Sequence, residues 1–239
     1  MHYRNKQRFY FIILLIDVFI FIGLGASLAF LPWSSDLKLV ALVIIAGLLT
    51  FSTAFINSYV QFYQTKYQYF TLREGAEQPL KTKVDLMSKS FLQKRTREGF
   101  SDPKSYGDFY LSYRYKNDKS SRFHRLGALE VIVVILNKNL AFDAPSIIEK
   151  INLVEDDLIY KKYVIQKYYI YTIKETDHLT LDQMSEANMV QFEQQKKRHI
   201  TAINLYVEKE QQAVYFLHNN NFSPNAYYGY AVSQIKSWL

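Results

Sequence analysis

The chain has 239 residues, a formal net charge of +7 and no cysteine. Disulfides, thiolate catalysis and thiolate-bound zinc are therefore excluded. Hydrophobic residues make up 49% of the chain, with only eight Gly and five Pro, and this composition excludes a disordered or low-complexity protein.

Two apolar runs near the start of the chain predict a pair of membrane-spanning helices. They cover residues 9–32 and 37–60, and each contains a single charged side chain, Asp17 in the first and Lys38 in the second. About 20 apolar residues suffice to cross a bilayer core that is about 30 Å thick. The short turn between the runs must lie outside that core, where water can satisfy its backbone groups. Residues 1–60 are therefore expected to form a transmembrane helical hairpin.

The distribution of positive charge around the two runs predicts their orientation. Lys38 is the only basic residue at the turn, whereas the outer ends carry Arg4, Lys6, Arg8, Lys66, Arg73, Lys81 and Lys83. Basic residues favour the cytoplasmic side, so we expect a multi-pass cell-membrane protein with both termini in the cytoplasm. The lack of cysteine agrees with a bacterial cell membrane. A cleaved signal peptide is the rival interpretation, but the first apolar run is long for one and contains a carboxylate.

Asp17 is the unusual residue of the first run, because a carboxylate at the middle of a span costs about 2.5–3.5 kcal/mol. In an antiparallel hairpin it lies level with Phe51. The hydroxyl groups of Thr50, Ser52 and Thr53 are then within one helical turn and can donate hydrogen bonds to it. Three roles stay open for Asp17: a structural bond within the hairpin, a contact with another membrane subunit, or part of a proton or ion path.

An aromatic stripe directly follows the second run. Tyr59, Phe62 and Tyr63 recur at helical spacing, and Tyr67 and Phe70 continue the stripe. The first three are predicted to form a belt at the membrane interface, because a tyrosine there can bury its ring and keep its hydroxyl in water. The last two lie about 15 Å beyond the apolar core and are expected to pack on the soluble domain.

Residues 61–105 are predicted to form a basic juxtamembrane connector with a helix at 84–98. Positive charge is concentrated here, since residues 61–125 have a net charge of +7 and residues 126–239 a net charge of −2. The predicted basic surface consists of Lys89, Lys94, Arg95 and Arg97. Contact with anionic lipid, an ordinary solvated helix face and nucleic-acid binding are the three interpretations of this surface.

Residues 106–239 alternate between strand and helix patterns, which predicts one cytosolic α+β domain with a mixed sheet of about five strands and about four helices. The predicted strands cover 108–115, 127–138 and 168–173, followed by a hairpin of 200–207 with 213–217.

Helix start signals lie between these strands. Asp143 is predicted to cap a helix whose buried stripe is Ile147, Ile151, Val154 and Leu158. Thr180 and Gln183 fit a capping box for a helix that reaches about Arg198. Ser223 with Pro224 is expected to begin the last helix.

The sequence contains no nucleotide-binding or hydrolase motif, and its five histidines lack the spacing of helical metal ligands. No catalytic residue, metal or cofactor is therefore assigned. A metal-dependent nuclease would need acidic residues and a lysine at neighbouring strand ends, which Glu130, Asp143 and Lys138 could supply. Glu130 is instead expected to face solvent on an outer strand. The polar loop 218–225 is explained by a turn and a helix cap.

These features favour a non-enzymatic, membrane-anchored interaction or regulatory protein. Its cytosolic domain would recognise a protein or a small ligand near the inner face of the membrane. The expected partners are the lipid bilayer, anionic lipid, and a partner protein or a second copy of the chain, whereas nucleic acid is not expected. One alternative is a membrane-tethered, metal-dependent enzyme acting on nucleotide or nucleic acid. The other is a small subunit of a membrane complex assembled through Asp17.

Overall fold

The chain folds into two compact units, which we call the hairpin unit (residues 1–71) and the sheet unit (residues 72–239). The computed structural model describes residues 2–118, 126–195 and 198–239.

The hairpin unit consists of two long apolar helices, α1 (His2–Ser27) and α2 (Ser35–Glu74), with a 3₁₀ turn at Leu28–Phe30 after the first. Both helices are long and apolar enough to cross a membrane. Leu31 then adopts an extended backbone, with φ −76° and ψ 141°. The residue before a proline is driven out of the helical region by the proline ring, so Pro32 explains the break between the helices.

Stacked aromatic rings hold α1 and α2 side by side in opposite directions. The Tyr10 ring lies 5.2 Å from that of Tyr59 and 5.3 Å from that of Tyr63, and the Tyr3 ring lies 4.9 Å from that of Phe70. The start of α1 therefore packs against the later part of α2. Such pairs contribute about 0.5–1.5 kcal/mol each beyond the area that they bury.

The sheet unit is built on a mixed sheet. Its strands are β1 (Leu80–Lys81), β2 (Lys104–Ser105), β3 (Phe109–Asp118), β4 (Leu126–Ile135), β5 (Ile165–Thr176), β6 (Gln191–Gln195), β7 (Arg198–Glu208) and β8 (Ala213–Tyr215). Their order is β1-β8-β7-β5-β4-β3-β2, and β6 pairs with β7 outside this path. The three strands β4, β5 and β7 run parallel at the centre, and the other pairings are antiparallel.

The described part of the sheet unit has four helices: α3 (Lys89–Arg97), α4 (Pro145–Tyr160), α5 (Leu181–Ala187) and α6 (Ala226–Trp238). Val131 and Val133 of β4 join one hydrophobic core with Ile147 of α4. Glu130, which precedes Val131 in β4, points to the opposite face, where Tyr230 of α6 contacts it. Helices therefore cover both faces of the sheet.

The prediction of an α+β domain is confirmed, but the prediction of about five strands was wrong, since the sheet formed by the described residues has eight. The three additional strands, β1, β2 and β6, have only two to five residues. The segment of β6 was predicted as helix up to Arg198, whereas α5 ends at Ala187. Gln and Glu favour helices only weakly, and pairing with β7 outweighs that preference. Lys196 and Lys197 lie outside the described residues.

Two helix signals in the sequence are confirmed. The Thr180 hydroxyl accepts a hydrogen bond from the Gln183 backbone, and the Gln183 side chain accepts one from the Thr180 backbone, which completes the capping box. The predicted stripe of α4 is buried over its whole length, at Ile147, Ile151, Val154 and Leu158.

Three predicted helix starts were wrong by a few residues. Asp143 does not cap α4, because Ala144 occupies the N-cap position and makes no side-chain bond there. α3 begins after Ser88, whose hydroxyl accepts from the Phe91 backbone, so it starts five residues later than predicted. Asn225 rather than Ser223 caps α6. Its side chain accepts from a backbone N–H one turn on, at 2.8 Å, which satisfies a donor that the helix leaves unpaired.

Candidate functional site

Asp17 is hydrogen-bonded within the hairpin unit by Ser52, one of its three predicted donors. The Ser52 hydroxyl donates to Asp17 Oδ2 at 2.8 Å. Thr50 and Thr53 donate instead to carbonyl oxygens one turn back in α2, at 2.8 and 2.6 Å. Hydroxyl side chains in helices often bond to the backbone in this way, and these bonds use the hydroxyl donors of both threonines, so neither bonds to Asp17. The partner therefore lies one residue from the predicted level.

The predicted aromatic belt divides into two faces of α2. Tyr59 and Tyr63 stack on Tyr10 within the hairpin, while Phe62 points outward and is 54% exposed. Phe70 stacks on Tyr3 of α1, so it packs within the hairpin unit. Two of the three belt residues thus also hold the helices together.

The basic surface on α3 retains three of its four predicted members. Lys89, Lys94 and Arg97 are exposed, but Arg95 is only 3% exposed and does not belong to this surface. Arg95 follows Phe91 by one helical turn and therefore lies on the buried face of α3. Its guanidinium lies 5.3 Å from the Phe91 ring, and burial lowers its pKa.

Glu130 is buried at the centre of the sheet unit, so the expectation that it faces solvent was wrong. Its strand, β4, lies between β3 and β5 and is not an outer strand. Arg114 contacts Oε2 of Glu130 through Nη2 and through Nε, the latter at 3.0 Å. The Tyr230 hydroxyl donates to the other carboxylate oxygen at 2.7 Å. Burial and this hydrogen bond raise the pKa of Tyr230.

The residues considered for a nuclease do not act together. Lys138 pairs with Asp177 at 2.8 Å, and both side chains are exposed, whereas Glu130 is 1% exposed and bound to Arg114. Within the described ranges, no three acidic or histidine side chains are placed to hold a metal ion.

Arg114, Glu130 and Tyr230 form a buried polar cluster. Tyr171 of β5 lies on the same face of the sheet, and Arg114 connects the cluster to α3. The Tyr171 ring lies 4.8 Å from the Trp238 ring, and its buried hydroxyl has no hydrogen-bond partner among the described residues. Burial raises the pKa of Tyr171. Arg114 also donates to the Glu98 carbonyl oxygen at 2.8 Å, at the end of α3. The cluster therefore joins both helices of this face to the sheet.

A polar groove of about 320 Å³ lies between α6 and the asparagine-rich loop that precedes it. Lys236 donates to Asn220 Oδ1 at 2.6 Å, and Asn219 Oδ1 accepts from the Asn221 backbone at 2.8 Å. The loop's asparagines thus bond within the loop and to α6. His218 beside them is buried, and burial lowers its pKa.

The sequence located three of these features and missed the rest. Asp17, the aromatic stripe and the basic helix were visible as patterns. The buried Arg114–Glu130–Tyr230 cluster was not, because it joins residues from three elements that are far apart in the chain. No protein-family model matches the chain, and neither the curated proteins nor the solved structures include a significant match to it.

Proposed function

We propose that the chain is a membrane-anchored interaction or regulatory protein, held in the cell membrane by the hairpin unit. The observation that carries this proposal is the outward-facing apolar surface of both helices, where Phe19 is 70%, Leu39 67% and Phe51 73% exposed. Leaving such a surface in water costs about 25 cal/mol per Å². The hydrogen bond from Ser52 reduces the cost of placing Asp17 in lipid.

Both ends of the hairpin face the cytoplasm in this proposal. Arg4, Lys6, Arg8 and Lys66 lie at the end of the hairpin that is opposite the turn. Lys38 near the turn donates to the Ala29 carbonyl oxygen at 3.1 Å, so its charge is partly satisfied by the hairpin itself. An excess of basic residues at the open end supports the cytoplasmic assignment of that end.

The sheet unit is the part that recognises a protein or a small ligand near the inner face of the membrane. Exposed cations on α3, namely Lys89, Lys94 and Arg97, supply the attraction to an acidic partner or to anionic lipid. Each such charge near an anionic surface contributes about 1 kcal/mol. Glu130 has both carboxylate oxygens occupied, which supports a structural rather than a chemical role for it.

An affinity pull-down of the full-length protein from its native membrane tests this proposal. The variant Lys89→Gln/Lys94→Gln/Arg97→Gln should lose a stoichiometric partner, because it removes the attractive charges without touching the buried face of α3. The charge-matched control Lys104→Gln/Lys161→Gln/Lys162→Gln should retain it. Equal recovery of the partner with both variants would contradict recognition through α3. Retention of the protein in carbonate-washed membranes tests the anchor separately.

A second candidate function, a small subunit of a membrane complex, is favoured by one feature of Asp17. Its Oδ1 atom accepts no hydrogen bond from the part of the chain that the structure describes, so it is available to another subunit. Asp17→Ala should then lose the partner, whereas Ser52→Ala, which leaves the carboxylate in place, should retain it. Loss with neither variant contradicts this candidate.

A further inference from the structure

The open end of the hairpin unit contains a cleft of about 420 Å³ between α1 and α2. Its lining consists of Arg4, Gln7, Arg8, Phe11, Ile12 and Tyr67. The residues from α1 recur at intervals of three and four and therefore share one face of that helix, while Tyr67 is contributed by α2. The polar side chains come first along α1 and the apolar ones follow, so the cleft is amphipathic along its length.

The two arginines of the cleft have no carboxylate partner in the described part of the chain. The hairpin unit contains only two acidic residues, Asp17 and Asp36. The first is bonded to Ser52, and the second lies in the first turn of α2, at the opposite end of the hairpin. The guanidinium groups are therefore placed to receive an anion from outside the protein.

The other two cations at this end are engaged differently. Lys6 Nζ lies 5.4 Å from the centre of the Tyr63 ring, and Lys66 Nζ lies 5.7 Å from that of the Phe62 ring. Cation–π contacts of this kind hold the Lys6 side chain against α2 and the Lys66 side chain along the surface of its own helix. Arg4 and Arg8 are thus distinguished from them by lining the cleft.

We propose that this cleft binds the phosphate headgroup of an anionic phospholipid. This inference rests on the proposed anchoring of the hairpin unit in a membrane. Guanidinium groups bind phosphate oxygens through two parallel hydrogen bonds, and Arg4 and Arg8 supply these groups. The Gln7 amide and the Tyr67 hydroxyl are further donors in the same cleft.

The apolar half of the cleft favours a lipid over a soluble phosphate. Phe11 and Ile12 are 50% and 54% exposed and lie directly beyond the arginines along α1. They offer a contact for the acyl chains at the position where a phospholipid continues from its headgroup into the bilayer. A soluble phosphate compound would make no use of these two side chains.

Native mass spectrometry of the full-length protein in a mild detergent tests the proposal, with titration by phosphatidylglycerol or phosphatidylcholine. The wild-type protein should retain one phosphatidylglycerol about tenfold more tightly than phosphatidylcholine. Arg4→Gln/Arg8→Gln should abolish this preference. Lys66→Gln removes a positive charge from the same end but outside the cleft, so it should keep the preference.

Three outcomes would overturn the proposal. These are equal retention of the two lipids, an equal loss of preference in Lys66→Gln and the arginine variant, and full competition by glycerol phosphate without acyl chains. The last outcome would assign the cleft to a soluble phosphate compound. Carbonate extraction reports on the anchor alone, so a protein that resists extraction but shows no lipid preference fails only the present proposal.

Discussion

Arg114 and Glu130 lie directly opposite each other on β3 and β4, and their side chains form an ion pair beneath α6. The carboxylate is almost fully buried, and Tyr230 of α6 donates to its second oxygen at 2.7 Å. Two strands and the C-terminal helix therefore converge on one buried charge. An unpaired charge in such a place is costly, so the three residues are expected to depend strongly on one another.

Glu130→Gln should lower the free energy of unfolding by about 3 kcal/mol or more, because it leaves the Arg114 charge largely uncompensated. Replacing the set together, as Glu130→Leu/Arg114→Met/Tyr230→Phe, should recover much of that loss. Trp238 is buried in the sheet unit, so its fluorescence during urea unfolding, in a Trp33→Phe background, provides the measurement. Lys138→Gln, which breaks an exposed ion pair, is the control and should leave the midpoint unchanged.

Tyr171 and Tyr230 should respond in opposite ways to the loss of a hydroxyl group. Tyr230→Phe removes a hydrogen bond to a carboxylate and should cost about 1.5–3 kcal/mol of stability. Tyr171→Phe removes a buried hydroxyl that has no partner among the described residues and keeps the ring contact with Trp238. It should leave the stability unchanged or raise it. Equal losses in the two variants, measured by the same unfolding experiment, would contradict this assignment.

Lys162 follows α4 in a left-handed conformation, with φ 63°, that favours glycine. Its backbone N–H donates to the Ile159 carbonyl oxygen at 2.8 Å, and that of Tyr163 donates to the Leu158 carbonyl oxygen at 3.0 Å. These two bonds define a Schellman motif, in which glycine usually occupies the position of Lys162. Lys162→Gly should therefore raise the free energy of unfolding by about 1 kcal/mol.

Lys161 provides a matched control for that substitution, because the neighbouring lysine has an ordinary φ of −76°. Lys161→Gly should give no gain, since it adds freedom to the unfolded chain without relieving strain. The comparison fails if both glycine variants shift the urea midpoint equally.

The stability of the sheet unit should fall as the pH is lowered through the range in which histidine titrates. Burial lowers the pKa of His218, and the hydrogen bond with the Phe216 carbonyl oxygen opposes this shift only in part. The positive charge of Lys236 lowers the pKa further, whereas Glu77 raises it. Below about pH 6.5 the unfolded chain therefore binds a proton that the folded chain refuses. The free energy of unfolding should accordingly decrease between pH 7 and the lower pKa of the folded state.

His218→Phe separates this effect from packing, because the new ring can stack on Phe216 as the imidazole does. The variant should lose less stability on acidification than the wild type does. Burial also lowers the pKa of His199, so adding His199→Gln should flatten the profile further. An unchanged acid-dependent decline in His218→Phe would assign the effect to other groups.

Local patterns in the sequence were sufficient for several elements of the fold. The capping box of Thr180 and Gln183 and the buried stripe of α4 depend on residues within one or two helical turns. The prediction for the segment of β6 was wrong, because its residues have helical preferences and form a strand only through pairing with β7. The two-residue strands β1 and β2 are too short to leave an alternating pattern.

The candidate sites show the same dependence on distance in the chain. The level of Asp17 was predicted within one residue, but the choice of Ser52 over two threonines depends on how α2 is rotated about its axis. The assignment of Arg95 to the surface was wrong, because elements distant in the sequence determine which face of α3 is packed. Glu130 became a buried ion-pair partner only because its strand lies inside the sheet.

Asn225 joins the start of α6 to a strand edge. Its Oδ1 atom accepts from the Tyr228 backbone at 2.8 Å, while its Nδ2 atom donates to the Phe192 carbonyl oxygen of β6 at 2.9 Å. Open strand edges are where separate molecules add to one another's sheets. One amide side chain thus occupies a backbone acceptor that another molecule could use. A change that detaches α6 would consequently lower the stability and also expose the edge of β6, through which two molecules could then associate.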